Sequence, residues 1–271
     1  MAPAAPLPAA GAVVAVKDLS RAKSRMIGLP APLRGRVATL MAVAVARAWS
    51  EVVESVVVVT TAPGIGPLLS AHGVRARVVP DPRAGLNAAF EAGERALRPA
   101  GCDLVVASMA DLPALTAGAL REALASCTES GRWFVRDAPG TGTTVLAARG
   151  EQLTPLFGPG SAARHHASGA VELAAPEELR VDADEPADLL RAVEFGIADP
   201  LAALLDGGTL GAHDTATVIG PSDDGWAVVT AAGSQAHAPR RAVGPELRRL
   251  APGQRVHLVR AAEGTVLDLW I

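Results

Sequence analysis

Cysteine is scarce: Cys102 and Cys127 are the only two in 271 residues. Two thiols make neither a disulfide scaffold nor a four-cysteine zinc site, and such a chain is expected to sit reduced in the cytoplasm. No uncharged apolar run reaches the roughly 18 residues that span a bilayer, so no membrane partner is expected. A secretory signal is also missing. The opening stretch MAPAAPLPAAGAVVAVK has no basic region ahead of its apolar residues, and Pro3, Pro6 and Pro8 interrupt any helix there. Residues 1–10 are therefore expected to form a disordered leader. Charge of one sign is not in excess. The formal net of −3 gives no general attraction to nucleic acid or anionic lipid. The two commonest nucleotide fingerprints, GxxxxGK[ST] and GxGxxG after the first strand, do not occur.

What is present is a large apolar fraction, 49% hydrophobic against 20% charged, enough for a packed core. The unbroken apolar run Leu104–Ala107 reads as a strand buried on both faces, Ala12–Val16 reads as the first strand, Val56–Thr60 as a second, buried one, and Arg77–Pro80 as the third. Between them, Leu33, Val37, Leu40, Met41, Ala44, Val45, Ala48 and Trp49 recur at helical spacing. A second helix is expected from Leu86 to about Leu97, and a third from about Thr116 to Ser126. Two more strands follow at Arg132–Arg136 and Thr143–Ala147. The alternation predicts an α/β domain over residues 11–208, a mostly parallel twisted sheet with helices on both faces. The pattern changes between Ile197 and His213, where a boundary helix and linker are expected. Residues 209–271 alternate and are rich in turns, which predicts a small closed β-barrel.

Several residues carry chemistry. Asp111 falls just past the carboxyl end of the Leu104–Ala107 strand, where ligands sit in open α/β sheets; its alternative role is a helix cap. Lys17, Arg21, Lys23 and Arg25 follow the first strand and suit an anion, or form a solvated basic loop. Asn87, at a helix start, could cap it or touch a ligand. Gly140 and Gly142 allow close backbone approach beside the hydroxyls of Thr141, Thr143 and Thr144, although a hairpin turn would need the same residues. Gly158 and Gly160 precede a helix for which Ser161 is the expected N-cap, with free N–H groups suited to a carboxylate or phosphate. His165 and His166 are adjacent on that helix, point different ways, and cannot chelate one metal together. Asp182 and Asp184, two apart in an extended segment, project from one face. With Asp111 they make three of the carboxylates that Mg²⁺ prefers, although Asp184 could be only a cap.

In order along the chain, AVKDLSRAKSRM (Ala15–Met26), GLNAAF (Gly85–Phe90), ADLPAL (Ala110–Leu115), GTGTTVL (Gly140–Leu146), FGPGSAARH (Phe157–His165), SGAVEL (Ser168–Leu173) and VDADEPADL (Val181–Leu189) resemble one family. It is the phosphoenolpyruvate or 2-phospholactate guanylyltransferases of deazaflavin coenzyme F420 biosynthesis. ADLP is common among nucleotidyltransferases; the FGPxSxxRHxxSGAVEL block together with GTGT is the specific part. The resemblance implies a nucleotide-diphospho-sugar transferase-like fold, with GTP and a three-carbon phospho-acid as substrates. It implies that Asp111, Asp182 and Asp184 hold Mg²⁺ and that Thr143, Gly158 and Ser161 bind phosphoenolpyruvate. Lys17, Lys23 and Arg25 would meet the GTP phosphates, Lys23 serving with Asp111 in catalysis, and Asn87 would lie beside the base or ribose.

The family is usually complete near Gly207, so the tail is an addition, similar to a cold-shock or OB-type barrel. Single-strand binders of that type stack bases on aromatic rows in a basic groove. From Thr209 onward there are only Trp226 and Trp270, and six arginines are balanced by six acids. Nucleic-acid binding is therefore not expected, and a docking or oligomerisation module is the better reading. The alternatives to the guanylyltransferase are transfer to another acceptor, such as 3-phosphoglycerate, a molybdopterin or a sugar phosphate, and an RNA-binding or regulatory protein with an inactive transferase domain. The glycine-rich LxGGxSxRMG loop of molybdopterin and sugar enzymes is replaced here by VKDLSRAKSRM.

Overall fold

The computed structural model describes residues 5–16, 26, 28–62, 64–197, 199–247 and 249–271. Strand β1 (Leu7–Val16) starts ahead of the expected Ala12, so part of the expected leader is paired strand. Helix α1 (Ala31–Ser50), β2 (Val53–Thr60), α2 (Ile65–Ala71), β3 (Arg77–Pro80), α3 (Leu86–Leu97), β4 (Leu104–Ser108) and α4 (Ala117–Leu124) follow. Then come β5 (Gly131–Arg136), β6 (Thr143–Arg149), α5 (Ser161–Ala167), β7 (Val171–Glu172) and α6 (Pro186–Phe195).

The seven strands order as β3-β2-β1-β4-β6-β5-β7. Strands β3, β2, β1 and β4 are parallel, β6 reverses against β4, and β5 and β7 restore the first direction. The sheet is thus mostly parallel, as its unbroken Val/Ala runs require. One set of alternate residues (Val14, Val58, Val106) packs against Trp49 of α1 and Leu120 of α4. The other set (Val13, Val57, Val105) packs against Phe90 and Leu97 of α3. Both faces are covered, so both sets must be apolar. Helix α3 lies so close to β1 that a Cβ on Gly93 would come 2.1 Å from Val13 Cγ1.

Beyond α6, the 3₁₀ turn Leu201–Leu204 and the hairpin β8 (Leu205–Asp206) and β9 (Thr209–Leu210) lead into a second sheet. Its strands are β10 (Ala212–Ser222), β11 (Gly225–Thr230), β12 (Gln235–Pro239), β13 (Arg255–Arg260) and β14 (Val266–Trp270), all antiparallel, in the order β12-β11-β10-β13-β14. Strands β12 and β14 form its edges. An isolated bridge between Val243 and Leu269 stands where a ladder would close the ring, so the tail is a curled, partly open barrel rather than the closed one expected. Val218, Val228, Val256 and Leu258 fill its interior.

This barrel docks on α1 of its own chain. Arg36 donates from Nε and Nη2 to Asp268 at 2.8 and 2.9 Å, and from Nη1 to Glu246 at 2.6 Å. Its guanidinium lies 5.6 Å from the Trp270 ring. Met26, Leu33 and Val37 share a core with Ala183, Leu189, Val259 and Trp270. Trp270 is therefore buried and packed against Arg36, His213 and His257. No described helix is long and apolar enough to cross a membrane.

Candidate active site

Parallel strands aim their carboxyl ends at one edge of the sheet, and the loops there build the site. The basic loop after β1, with Lys17, Arg21, Lys23 and Arg25, lies outside the described residues. Asp111 follows β4 and does not cap α4, because Thr116 does so, its side chain accepting from the Ala119 N–H at 3.1 Å. Asp184 does not cap α6 either. Glu185 is the N-cap, in a reciprocal box with Asp188, and Asp188 also accepts from the Asp184 N–H at 2.9 Å. Both capping alternatives therefore fall.

Backbone bonds bring the two acidic loops together. The Ala183 N–H donates to the Asp111 carbonyl at 2.9 Å. Ala183 is fully buried between the half-exposed Asp182 and Asp184. Thr144 Oγ1 donates to the Leu179 carbonyl at 2.6 Å and the Ala138 N–H to the Arg180 carbonyl at 2.8 Å, which pins the acidic segment against the β5–β6 hairpin. Burial first, then the charges of Asp111, Asp184 and Asp137, push the Asp182 carboxyl up to about 6. Asp137 is a fourth acidic group that the sequence reading passed over. Its Oδ1 accepts from the Thr141 N–H at 2.8 Å, and its Oδ2 occupies the place where a Cβ on Gly142 would sit, 2.3 Å away. An Asp just ahead of a glycine-rich turn is a signal for such a side-chain-capped turn.

The GTGT segment is the β5–β6 hairpin connection and also one wall of the site. Thr143, at the start of β6, is buried, and its Oγ1 lies 2.9 Å from His165 Nδ1. His165 Nε2 accepts from the Leu156 N–H at 2.9 Å. Burial, then the cations Arg164 and Arg132, push the His165 ring down to about 4, so it is neutral near pH 7. His166 is exposed while His165 is buried, which bears out their divergence.

Gly158 adopts φ +123°, which favours glycine. Ser161 is the first residue of α5 and Gly160 is the N-cap, correcting the expectation for Ser161. The backbone donors expected to be free there are partly spent. Ser161 N–H donates to the Gly158 carbonyl at 3.0 Å and Ala162 N–H to the Thr141 carbonyl at 3.1 Å. The second bond ties the Thr143 hairpin to the Gly158–Ser161 turn. Asn87 is not a cap; Gly85 precedes α3. Its amide grips the Phe157 backbone, accepting from N–H at 2.8 Å and donating to the carbonyl at 3.3 Å, and so anchors the Gly158 loop to α3.

Among the described residues, no three His, Cys, Asp or Glu side chains stand close enough to hold a metal ion by themselves. The donor chemistry still fits a hard divalent cation, because Asp111 and Asp184 both raise the cost of charging Asp182. Mg²⁺ commonly takes only one or two carboxylates and completes its shell with substrate phosphates.

Comparison with known proteins agrees with this geometry. Residues 25–184 match the family of MobA-like NTP transferase domains. Over 205 residues the chain is 45% identical to the phosphoenolpyruvate guanylyltransferase of Geodermatophilus obscurus, covering 72% of this chain and 93% of that one. Over 203 residues it is 47% identical to the enzyme of the same name from Thermomonospora curvata, covering 71% and 86%. In fold alone, it is similar to a solved structure described as a nucleotide-diphospho-sugar transferase of Desulfovibrio desulfuricans G20. The two share 10% identity and a TM-score of 0.50, covering 62% of this chain and 80% of that one. By these relatives, matched over most of their own length, the chain belongs to the phosphoenolpyruvate guanylyltransferase family.

Proposed function

We propose that this protein joins GMP from GTP to the phosphate of phosphoenolpyruvate and releases pyrophosphate, in the route to coenzyme F420. The observation that carries this reading is the convergence of Asp111 and Asp182, which a metal-free structural role would not favour, since each charge opposes the other. Relatives at 44–47% identity that bear the name of this activity support it.

In this reading one or two carboxylates of the set Asp111, Asp182 and Asp184 would hold Mg²⁺, with phosphate oxygens of GTP completing its shell. When bound, the ion polarises the α-phosphate and offsets charge on the leaving group. Lys17, Lys23 and Arg25 would engage the triphosphate, Lys23 serving with Asp111 in catalysis, and Asn87 would border the base or ribose. Thr143, Gly158 and Ser161 seat the phospho-acid. An oxygen of its phosphate forms a bond to the α-phosphorus as the bond to the bridging oxygen breaks, and pyrophosphate leaves with that electron pair. The attacking oxygen is already ionised, so no general base is needed. Catalysis is positioning and charge stabilisation. The buried, unpaired state of Cys102 and Cys127 agrees with a reduced cytoplasmic setting.

The test is pyrophosphate release from GTP and Mg²⁺ with phosphoenolpyruvate, 2-phospholactate or 3-phosphoglycerate in separate reactions, each beside D111N. Release that requires phosphoenolpyruvate and Asp111 is expected. Release with another acid alone would transfer the activity to that acceptor, and no release from folded protein would sink the reading.

A further inference from the structure

The pair His165 and Thr143 makes more of the site than the acidic loops do. A backbone amide can only donate, so the Leu156 N–H, 2.9 Å from His165 Nε2, fixes that nitrogen as an acceptor. The neutral ring must then carry its proton on Nδ1 and donate it to Thr143 Oγ1 at 2.9 Å. Thr143 accepts there and keeps its own hydroxyl proton for another partner, of which there is none among the described residues. The ring cannot turn to reverse these roles. It is fully buried and held edge-on to Phe157 with centroids 5.2 Å apart, and Phe157 is itself gripped by Asn87. Ser161 lies one helical turn before His165, so both face the same side of α5, and both are buried. One imidazole therefore joins the hairpin, the Gly158 loop and α5.

We propose that His165 is a positioning residue that turns the Thr143 hydroxyl into a committed hydrogen-bond donor for an anionic oxygen of the acceptor acid. The identity of the acid rests on the functional reading above; the orientation of Thr143 does not. A hydroxyl without such a neighbour can rotate to accept or donate. One already accepting from a fixed N–H meets an anion in the donating state, so less reorganisation accompanies binding.

The variants separate the two ends of the ring. His165→Asn places an amide nitrogen near the position of Nδ1 and restores a donor to Thr143. His165→Gln keeps a partner for Leu156 N–H but withdraws that donor. At saturating GTP, H165Q is expected to raise the KM for phosphoenolpyruvate about tenfold, on the scale of a hydrogen bond to a charged group. Its KM for GTP should move less than about twofold. H165N should recover most of the loss. In a Thr143→Val background, H165Q should add almost nothing, because the two residues act as one unit.

Equal defects in H165N and H165Q, additive defects with T143V, or parallel rises in both KM values would overturn the proposal. The ring is also read without turnover, from ¹⁵N shifts of histidine-labelled wild-type protein, with His165 assigned by its loss in H165Q. A protonated Nδ1 with an unprotonated Nε2 is expected, and the opposite tautomer would overturn the proposal even in a variant-free sample. If the wild-type protein releases no pyrophosphate with phosphoenolpyruvate, the functional reading fails, while the ring shifts still decide how Thr143 is oriented.

Discussion

The Ala183 N–H donates to the carbonyl oxygen of Asp111 over 2.9 Å, and this bond between two loops distant in sequence sets Asp182 against Asp111. A neutral main-chain contact thus holds two like charges together. The arrangement is costly for the empty protein and suited to a dication, which is the usual relation between a site and the stability of its scaffold.

Asp111→Asn and Asp182→Asn should each lower kcat by about 100- to 1,000-fold, corresponding to about 2.7–4 kcal/mol for one lost preorganised group. Without divalent metal, D182N should nevertheless melt higher than wild type above about pH 6, because it removes a carboxylate that the fold charges reluctantly. Calorimetry in chelator-treated buffer, beside single-turnover rates, checks both halves.

Two groups should tilt the pH dependence of stability in opposite directions. Asp182 binds its proton more tightly folded than unfolded, so its contribution declines as pH rises from its ordinary 3.8 to about 6. His165 binds its proton less tightly folded, so its contribution is lost as pH falls from 6.5 towards about 4. Each amounts to at most about 3–4 kcal/mol, at about 1.4 kcal/mol per pKa unit. The two slopes largely cancel in wild type. Urea titrations between about pH 4 and pH 6.5 should show stability falling with pH in H165Q and rising with pH in D182N. Identical slopes in both variants would refute the assignment.

Gly93→Ala should destabilise the protein by about 1–3 kcal/mol, the ordinary cost of overpacking. The added methyl would meet Val13 at Cγ1 (2.1 Å), Cγ2 (2.7 Å) and Cβ (3.0 Å), so a turn about χ1 of this stiff side chain does not clear it. Chemical denaturation is the measurement; an unchanged midpoint would mean that α3 can lift from β1 without loss.

Arg36→Ala should cost about 3–5 kcal/mol, because it strands Asp268, and Glu246 beside it, in a buried setting. The barrel shares a core with Met26 and Ala183, next to both the basic loop and the acidic loop, so kcat should fall with stability in R36A. Limited proteolysis should cut R36A between the two sheets before wild type. Wild-type activity in R36A would show that the barrel is dispensable to the site.

The α/β class was legible from the sequence because buried parallel strands must be apolar on both faces, and Val56–Thr60 and Leu104–Ala107 declare that locally. Helix α3 matched its expected bounds because its amphipathic period and its Gly85 start are local too. Asp111, Asp182 and Asp184 stood out by composition and position, and family motifs attached roles to them. Their convergence is tertiary: it depends on the bond from Ala183 to Asp111 and on Thr144 holding Leu179, partners that no spacing rule connects. The turn held by Asp137 and the bond of His165 to Thr143 were not legible for the same reason. Their meaning lies in a missing Cβ on Gly142 and a hydroxyl on another strand. The tail shows the division most plainly. Its alternation and turns announced short strands. That those strands stop short of a closed barrel, and that Trp270 turns inward onto Arg36 rather than outward, was decided by packing against α1, because a buried guanidinium must find its carboxylates wherever the chain can bring them.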